Sequence, residues 1–414
     1  MRRAALLGMA LALGCQRKAP PPPPAPPTEL QLVAVGDIMM HQDVKRAAQE
    51  APGGFQELWG DLAPLFQKAD LVFGNLETPL APRTGSQGRP FSFNAPEGLA
   101  PALRESHFQI LATANNHAYD QGPRGVGETL EILGRNGLAS IGTGSSRSQA
   151  EAPQILERHG IRIGFFGATD IFNSNLNGAE SGPWVNALDV ERLAAAVRQL
   201  RPRVDAVVVS LHWGEEYRHL PSQRQRDVAA RLVEAGVDLV IGHHPHVLQP
   251  LAWVEAGGRR GAVAYSLGNF ISNQDRTYNP AHMAVQAGDS RDGAALKATW
   301  VKDAAGSAHL AGVTMEPLWT ENNALRPAGA RRAIRVVRIG QRTGPLAELR
   351  QRRIQDVLAG VAAPPPVRLA KVARRPVLRV PLPPPAPSPE PEPPGAELPG
   401  PVPAEAPIKA EALP

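Results

Sequence analysis

The stretch VDLVIGHHPH, residues 237–246, joins a short apolar run to three histidines within four positions. The apolar part predicts a buried strand. Imidazoles at a strand end are costly to bury without a partner, and neutral imidazole is the commonest protein ligand for transition metals. In an extended segment His244 and His246 face one side and His243 the other, so we expect the first two to bind a metal. The alternative is a polar loop whose histidines share no role.

Apolar runs and amphipathic patterns alternate on both sides of this stretch, between about residues 29 and 341. Strands alternating with helices predict an α/β fold, and α/β architectures of this size often form one domain. The predicted strands are 30–35, 71–73, 108–112, 161–166, 206–211, 239–241 and 263–267. The predicted helices are 96–103, 125–133, 190–200 after an N-cap at Asp189, and 221–235 before a stop at Gly236.

Polar side chains stand at the ends of five of these strands. Ligands of open α/β sheets bind outside the carboxyl ends of the strands. We therefore expect these side chains to converge on one site. In chain order they are Asp37, Glu77, the run Asn115-Asn116-His117, His212, and the run from His243 to His246.

This set has the chemistry of a two-metal site. Two cations about 3.5–4 Å apart clamp the attacking and leaving oxygens of a displacement. Two carboxylates can supply negative charge, three imidazoles nitrogen ligands and one amide a neutral oxygen: these are, in turn, Asp37 and Glu77, His212, His244 and His246, and Asn116. His117 can act as a proton donor or an electrostatic partner for a leaving oxygen.

Six pieces of the chain, in order between about residues 31 and 275, carry a family resemblance. They are GDIMM (36–40), DLVFGNLE (70–77), ANNHAYDQG (114–122), LHWGEEY (211–217), GHHPHVLQ (242–249) and YSLGNF (265–270). These pieces resemble the bacterial capsule-synthesis CapA family, the poly-γ-glutamate biosynthesis proteins. That family is similar in turn to calcineurin-like metallophosphoesterases, a four-layer αββα sandwich with a dinuclear metal site at the strand ends.

The resemblance implies this α/β four-layer sandwich for residues 29–345 and a site for divalent ions, two in number, of Mn, Fe, Zn or Mg. It implies catalytic roles for Asn116 and His117, the histidine as the acid. The metal ligands that it implies are Asp37, Glu77, Asn116, His212, His244 and His246.

The chain departs from the phosphoesterase pattern at two positions. The first motif of those enzymes is Asp-x-His, but Met39 stands in place of the histidine, and a thioether is a poor ligand for hard divalent metals. His41 could substitute only if the loop bends. Glu77 stands where phosphoesterases carry aspartate. The site could therefore hold two metals or one, or lack turnover.

Three further polar residues are candidate substrate-binding groups: Asn115, Glu216 and Asn269. Glu216 could instead orient a histidine or be solvated. Asn269 could instead close a turn.

The N-terminal residues predict export. Arg2 and Arg3 precede an apolar stretch that is shorter than the roughly 20 residues of a spanning helix, the pattern of a signal peptide. LALGC (11–15) resembles the lipobox of bacterial lipoproteins, although Ala12 replaces the more usual leucine. We expect residues 1–15 to be a lipoprotein signal peptide with a lipidated Cys15, and 16–28 a Pro-rich linker. The protein would then be anchored to a membrane of the cell envelope on the exported side.

The C-terminal residues 346–414 are expected to form a basic and then Pro-rich disordered tail, because such sequence cannot bury enough apolar surface to offset chain entropy. The arginine-rich stretch 331–353 is expected to be a solvated face. The alternative is a contact for an anionic polymer or lipid headgroup. A net charge of +5 over 414 residues argues against nucleic acid as a partner.

The resemblance implies a lipid-anchored envelope protein that acts in the synthesis, export or attachment of an anionic capsule polymer such as poly-γ-glutamate. Its activity would be that of a divalent-metal hydrolase. The alternatives are a scaffold or polymer-binding subunit that works beside capsule synthase subunits, and an envelope phosphodiesterase whose phosphoester substrate is unrelated to capsules.

Overall fold

The computed structural model describes residues 26–86, 91–327 and 329–360. Its strands are β1 (Thr28–Ile38), β2 (Leu71–Leu76), β3 (Phe108–Ala112), β4 (Ala139–Ile141), β5 (Thr143–Gly144), β6 (Gln154–Arg158), β7 (Ile161–Thr169), β8 (Trp184–Val185), β9 (Ala206–His212), β10 (Leu239–His243), β11 (Leu248–Ala256), β12 (Arg259–Leu267), β13 (Asn269–Ile271), β14 (Asp292–Lys302), β15 (Ala308–Asn322) and β16 (Ile334–Arg338). Its helices are α1 (Gln42–Glu50), α2 (Gly54–Glu57), α3 (Ala63–Phe66), α4 (Leu99–Glu105), α5 (Gly122–Arg135), α6 (Arg147–Glu151), α7 (Val190–Leu200), α8 (Gln223–Ala235) and α9 (Pro345–Leu358).

Two large sheets carry the fold. The first has the order β16-β15-β14-β1-β2-β3-β4, and the short strand β13 also pairs with β1. The second has the order β11-β12-β10-β9-β7-β6. Neighbours from β1 to β4 are parallel, as are β12, β10, β9 and β7. Every residue of β2 and β9 is buried, which explains why central parallel strands read as continuous apolar runs.

Strand alternation sorts the apolar side chains into layers. On β1, Leu32 and Ala34 face a core between the two sheets, where Phe165 and Ile241 of the second sheet meet them. Val33, on the opposite face of β1, belongs to a core that the first sheet shares with α1, α4 and α5. The outer face of the second sheet packs against α7 and α8. Helix, sheet, sheet and helix therefore form the predicted four-layer αββα sandwich.

The two helices that pack on the second sheet, α7 and α8, have capping residues at their ends, in agreement with the predicted helices. The Asp189 side chain accepts a hydrogen bond from the Arg192 amide at the start of α7. Ser222 and Gln225 form a capping box at the start of α8. Gly236 ends α8 with φ of 118°, a left-handed conformation that favours glycine.

The predicted boundary at residue 345 is wrong, because α9 is part of the folded domain. Ile354 and Val357 pack into a core with Trp319 of β15. Arg350, with 0% of its surface exposed, binds Asp292 through Nε (2.9 Å) and Asp289 through Nη2 (3.0 Å). Long-range packing and ion pairing thus order a segment whose composition alone suggested a tail.

The expectation of a solvated arginine face also fails at two positions. Arg332 is 1% exposed, and its guanidinium donates to the side-chain oxygens of Asn322, Asn323 and Asn273. Arg350 is buried as described above. Arg331 and Arg335 remain exposed and both pair with Glu57 on α2, as expected for a solvated face.

The predicted signal peptide, Cys15 and most of the linker, together with 361–414, lie outside the described residues. Within the described part of the chain, the helices are all too short or too polar to cross a membrane.

Candidate metal centre

The carboxyl edges of the two sheets meet at the predicted site. Asp37 lies on β1, Glu77 directly after β2, and Asn116 in the turn after β3. The second sheet supplies His212 at the end of β9 and the segment His243–His246 at the end of β10. Each sheet thus contributes three of the six predicted ligands, and all six are buried.

Asp37 lies at the centre of this cluster with none of its surface exposed. Its carboxylate accepts from Asn75 Nδ2 (2.8 Å) and the His244 amide (3.3 Å), and it lies 3.2 Å from the Nδ1 atoms of both His243 and His246. Burial alone raises the pKa of Asp37, but the two imidazoles outweigh it and hold the pKa well below its ordinary value. The carboxylate is therefore ionised and can serve as a ligand.

Glu77 is equally buried but incompletely paired. Its Oε2 accepts from Asn75 Nδ2 at 3.3 Å, while Oε1 has no hydrogen-bond partner among the described residues. That oxygen lies 3.8 Å from both His212 Nε2 and His246 Nε2. Burial first, and Asp37 second, raise the pKa of Glu77 well above its ordinary value. An unpaired buried carboxylate oxygen facing two imidazoles fits a cation between them.

Three groups of donors could each hold an ion, with ligand atoms within 4.8 Å of one another. Glu77 belongs to two of the groups, which makes it suited to bridge two adjacent ions. The groups are Glu77 with His212 and His244, Asp37 with Glu77 and His246, and Glu216 with His244 and His246. Mixed nitrogen and oxygen donors suit Mn, Fe or Zn better than Mg.

Burial favours the neutral, metal-binding form of two imidazoles, those of His244 and His212. Burial lowers the pKa of His244 to about 4, and its Nδ1 has no hydrogen-bond partner in the described structure. Burial also holds the pKa of His212 well below its ordinary value. Both side chains therefore present a lone pair rather than a charge at neutral pH.

Asn116 and His117 lie beside the donor groups. Asn116 Oδ1 is 2.8 Å from His212 Nε2, and its Nδ2 donates to Asn173 Oδ1 (3.2 Å). His117 Nδ1 lies 2.8 Å from Asp120 Oδ2, and the ring packs against Phe93 with centroids 4.5 Å apart. Asp120 thus fixes the orientation of the imidazole.

The three predicted substrate contacts lie in different surroundings. Asn115 is 1% exposed and donates to the Leu76 carbonyl (2.9 Å). Asn269 is also 1% exposed, and its Oδ1 is 3.1 Å from His246 Nδ1. Glu216 is exposed and forms part of one donor group. The structure gives both asparagines positioning contacts within the site, and substrate binding by the three residues stays a prediction.

Met39 and His41 do not restore the missing imidazole. Met39 is 2% exposed, and its amide donates to the Ile271 carbonyl. His41 Nδ1 accepts from the Asn273 amide (3.3 Å), and burial lowers the pKa of His41 to about 4. Among the described residues, the donor groups do not include His41.

Sequence reasoning missed two residues of the site. Asn75 Nδ2 contacts both Asp37 and Glu77 and lies 3.4 Å from His212 Nδ1, so it links carboxylates from two strands. Its position two residues before Glu77 on a strand was the available signal. His243 was expected to face away, yet its Nδ1 lies 3.2 Å from Asp37 Oδ1.

Comparisons with known proteins match the region that contains this site. Residues 31–274 match the family model of the bacterial capsule synthesis protein PGA_cap. The chain is 31% identical to the PGA biosynthesis protein CapA of Bacillus subtilis, over 61% of this chain and 66% of the relative. It is also 31% identical to the capsule biosynthesis protein CapA of Bacillus anthracis, over 62% and 63%.

The chain thus spans slightly less than two thirds of the length of these two relatives. Among solved structures, Haemophilus influenzae NAD nucleotidase aligns with a TM-score of 0.43 and 11% identity, over 80% of this chain and 56% of that one. The family model covers more than half of the chain and every predicted metal ligand, so the chain belongs to the bacterial capsule synthesis family PGA_cap.

Proposed function

We propose that this protein is a divalent-metal-dependent hydrolase that acts in the synthesis, export or attachment of an anionic capsule polymer such as poly-γ-glutamate. The observation that carries the proposal is the unpaired, fully buried Oε1 of Glu77 between His212 and His246. Membership of the capsule synthesis family supports the polymer as the substrate class.

Asp37, Glu77, Asn116, His212, His244 and His246 would hold the ions. Divalent cations bound there would supply Lewis acidity to polarise the reacting carbonyl or phosphoryl group and to activate water. Asn75 would hold Asp37 and Glu77 in register by donating to both. Asp120 would orient His117 through Nδ1, leaving Nε2 to hold the proton that passes to the leaving group.

A polar groove beside Asn116 and Asp120 would receive the substrate. Its volume is about 870 Å³, within the usual range for ligand sites. Hydroxyl and amide side chains dominate its walls: Thr84, Ser86, Ser92, Gln121, Asn173 and Ser174. Such walls can hydrogen-bond the amides and carboxylates of a polypeptide-like polymer.

Metal content of the full chain, purified without a histidine tag, tests the proposal. We expect about two transition-metal equivalents, lost in Glu77→Gln and His244→Ala and retained in the exposed control His309→Ala. Metal-dependent cleavage of γ-glutamyl polymers or phosphodiesters should follow the same pattern. A folded protein that binds no metal would contradict the proposal.

A non-catalytic scaffold in a capsule synthesis complex is the second candidate, favoured by the buried Met39 at the position of a phosphoesterase histidine. A scaffold would still support normal amounts of capsule polymer when the predicted metal ligands are substituted. Deletion of the whole domain would abolish the polymer. One metal equivalent without turnover would also favour it.

We further propose that Cys15 carries a lipid anchor that holds the domain on the exported side of an envelope membrane, with the Pro-rich linker as spacer. Cys15→Ser should move the protein from the membrane fraction to the soluble fraction. Ala12→Leu is the matched control, because it brings the lipobox closer to the usual pattern and should retain the anchor. Membrane association of the Cys15→Ser variant would contradict the anchor.

A further inference from the structure

A second cavity, of about 560 Å³, lies where one face of β15 and β16 meets α9. Arginines from three segments line it: Arg291 before β14, Arg335 on β16 and Arg342 before α9. Glu321 is its acidic lining residue. We call this space the arginine cavity. The proposed reaction makes no use of it.

Arg291 is the unusual member of the set, because it is buried without a counter-ion. It is 6% exposed, and in the described structure no carboxylate oxygen lies within ion-pair distance of its guanidinium. Its Nε donates to the Thr320 carbonyl (2.7 Å), and its guanidinium stacks over Trp319 at 4.4 Å. No protein group described here accepts a hydrogen bond from its two Nη atoms.

The nearest acids are committed elsewhere. Asp275 accepts from the Ser290 amide (3.0 Å), and Asp292 binds Arg350. Burial lowers the pKa of Arg291 to about 10, so the side chain remains charged at neutral pH. The two Nη atoms of this charged side chain are therefore available to an anion that enters the cavity.

The rim can also accept an anion. Arg335 pairs with Glu57 (3.1 Å), and Arg342 pairs with Asp61 (3.1 Å) and with Glu321 (3.5 Å); the arginine side chains are 52% and 38% exposed. Exposed pairs of this kind are weak. Their guanidinium groups can therefore turn to an incoming carboxylate and bind it with two parallel hydrogen bonds.

The arginine cavity lies close to the metal centre. The Asn269 side chain joins them, with Oδ1 3.1 Å from His246 Nδ1 and Nδ2 donating to the Ser290 carbonyl (2.8 Å), next to Arg291. β15 is two strands from β1 in the sheet, or about 10 Å at the usual strand spacing.

We propose that the arginine cavity is a carboxylate-binding subsite for the anionic polymer of the proposed function. The proposal rests on the proposed function for the identity of the polymer, and it assigns a segment of γ-linked glutamate as the occupant. Arg291 binds one free α-carboxylate of the γ-linked chain inside the cavity, and Arg335 and Arg342 bind the neighbouring α-carboxylates at the rim.

Calorimetric titration of the full chain with a short γ-linked glutamate oligomer, in EDTA, tests this without the metal. We expect Arg291→Gln to weaken binding about tenfold or more, as for the loss of charge-assisted hydrogen bonds. The double variant Arg335→Gln with Arg342→Gln changes only exposed side chains, and it should also weaken binding and flatten its salt dependence. The control is Arg231→Gln, which replaces an ion-paired arginine of α8, a helix on the far side of the second sheet. This variant should bind the oligomer as the wild type does.

Wild-type affinity in both folded cavity variants would overturn the proposal. Equal binding of an oligomer whose free α-carboxylates are amidated would overturn the role of charge. Binding of inorganic phosphate, but not of the oligomer, in an Arg291-dependent manner would overturn the polymer assignment. Weaker oligomer binding by Arg291→Gln, together with no metal in the wild type, would support the cavity and reject the metal hydrolase.

Discussion

Replacing Arg350 by methionine is expected to destabilise the protein strongly, because it removes the cation at the centre of a buried network. The guanidinium binds Asp292 through Nε and Nη2, Asp289 through Nη2, and the Val285 carbonyl through Nη1. Arg353 also pairs with Asp289. The variant therefore leaves Asp292, 3% exposed, as the uncompensated buried carboxylate.

Removing one partner of a buried pair costs about 3–5 kcal/mol. An unfolding entropy of about 2.1 cal/mol/K per residue over about 300 folded residues gives about 0.6 kcal/mol/K. The melting temperature should therefore fall by about 5–8 °C. In urea, the lower free energy of unfolding should appear as a lower midpoint concentration. The dependence of that free energy on urea concentration should be unchanged.

Thermal and urea unfolding, followed by circular dichroism, measure the melting temperature and the urea midpoint. EDTA keeps the metal occupancy the same in all variants. Arg352→Met is the matched control, because Arg352 lies on the same helix, is exposed, and has no ion pair among the described residues. Equal stability of the two variants would refute the docking of α9 and restore the predicted disordered tail from residue 346.

Three further outcomes are expected. Asn75→Ala should weaken metal binding about 10–100-fold in competition with a chelator, and Asn136→Ala, whose amide donates to a helix carbonyl, should not. Saturation with Mn²⁺ or Zn²⁺ at about 100 times the dissociation constant should raise the free energy of unfolding by about 2.7 kcal/mol, an effect that chelation reverses and Glu77→Gln abolishes. Burial alone would raise the pKa of Asp289, but His219 and Arg353 hold that pKa well below its ordinary value. Its stabilisation is therefore present above about pH 4 and is lost as the pH falls, so acid should destabilise the wild type more steeply than Asp289→Asn.

The convergence of the six predicted ligands could be foreseen from the sequence, because polar residues that directly follow parallel strands lie at the same edge of the sheet. Asp37, Glu77 and His212 needed only that rule. His244 and His246 reached the site by another route. The prediction assumed an extended segment, whereas both have left-handed backbones, with φ of 96° and 56°. The same bend explains how His243, expected to face away, also contacts Asp37.

The remaining differences come from contacts between residues far apart in the chain. Arg332 and Arg350 are indistinguishable by composition from their solvated neighbours. Their burial depends on acids and amides that lie far away in the chain: Asp289 is 61 positions from Arg350, and Asp43 pairs with Arg332. Asn75 is similar, since its role depends on Asp37 and Glu77 being brought to either side of it. One-dimensional pattern rules carry no information about such partners.

The predicted ligands are divided between the two sheets, so the distance between the sheets determines how far apart the two halves of the candidate site lie. Asp37, Glu77 and Asn116 move with one sheet, and His212, His244 and His246 with the other. The core between the sheets, which includes Leu32 and Phe165, therefore sets the spacing of the predicted ligands. A change of side-chain volume in that core would shift the two sheets and alter the spacing of the site residues without replacing any of them. Core positions far from the site should therefore tolerate few substitutions.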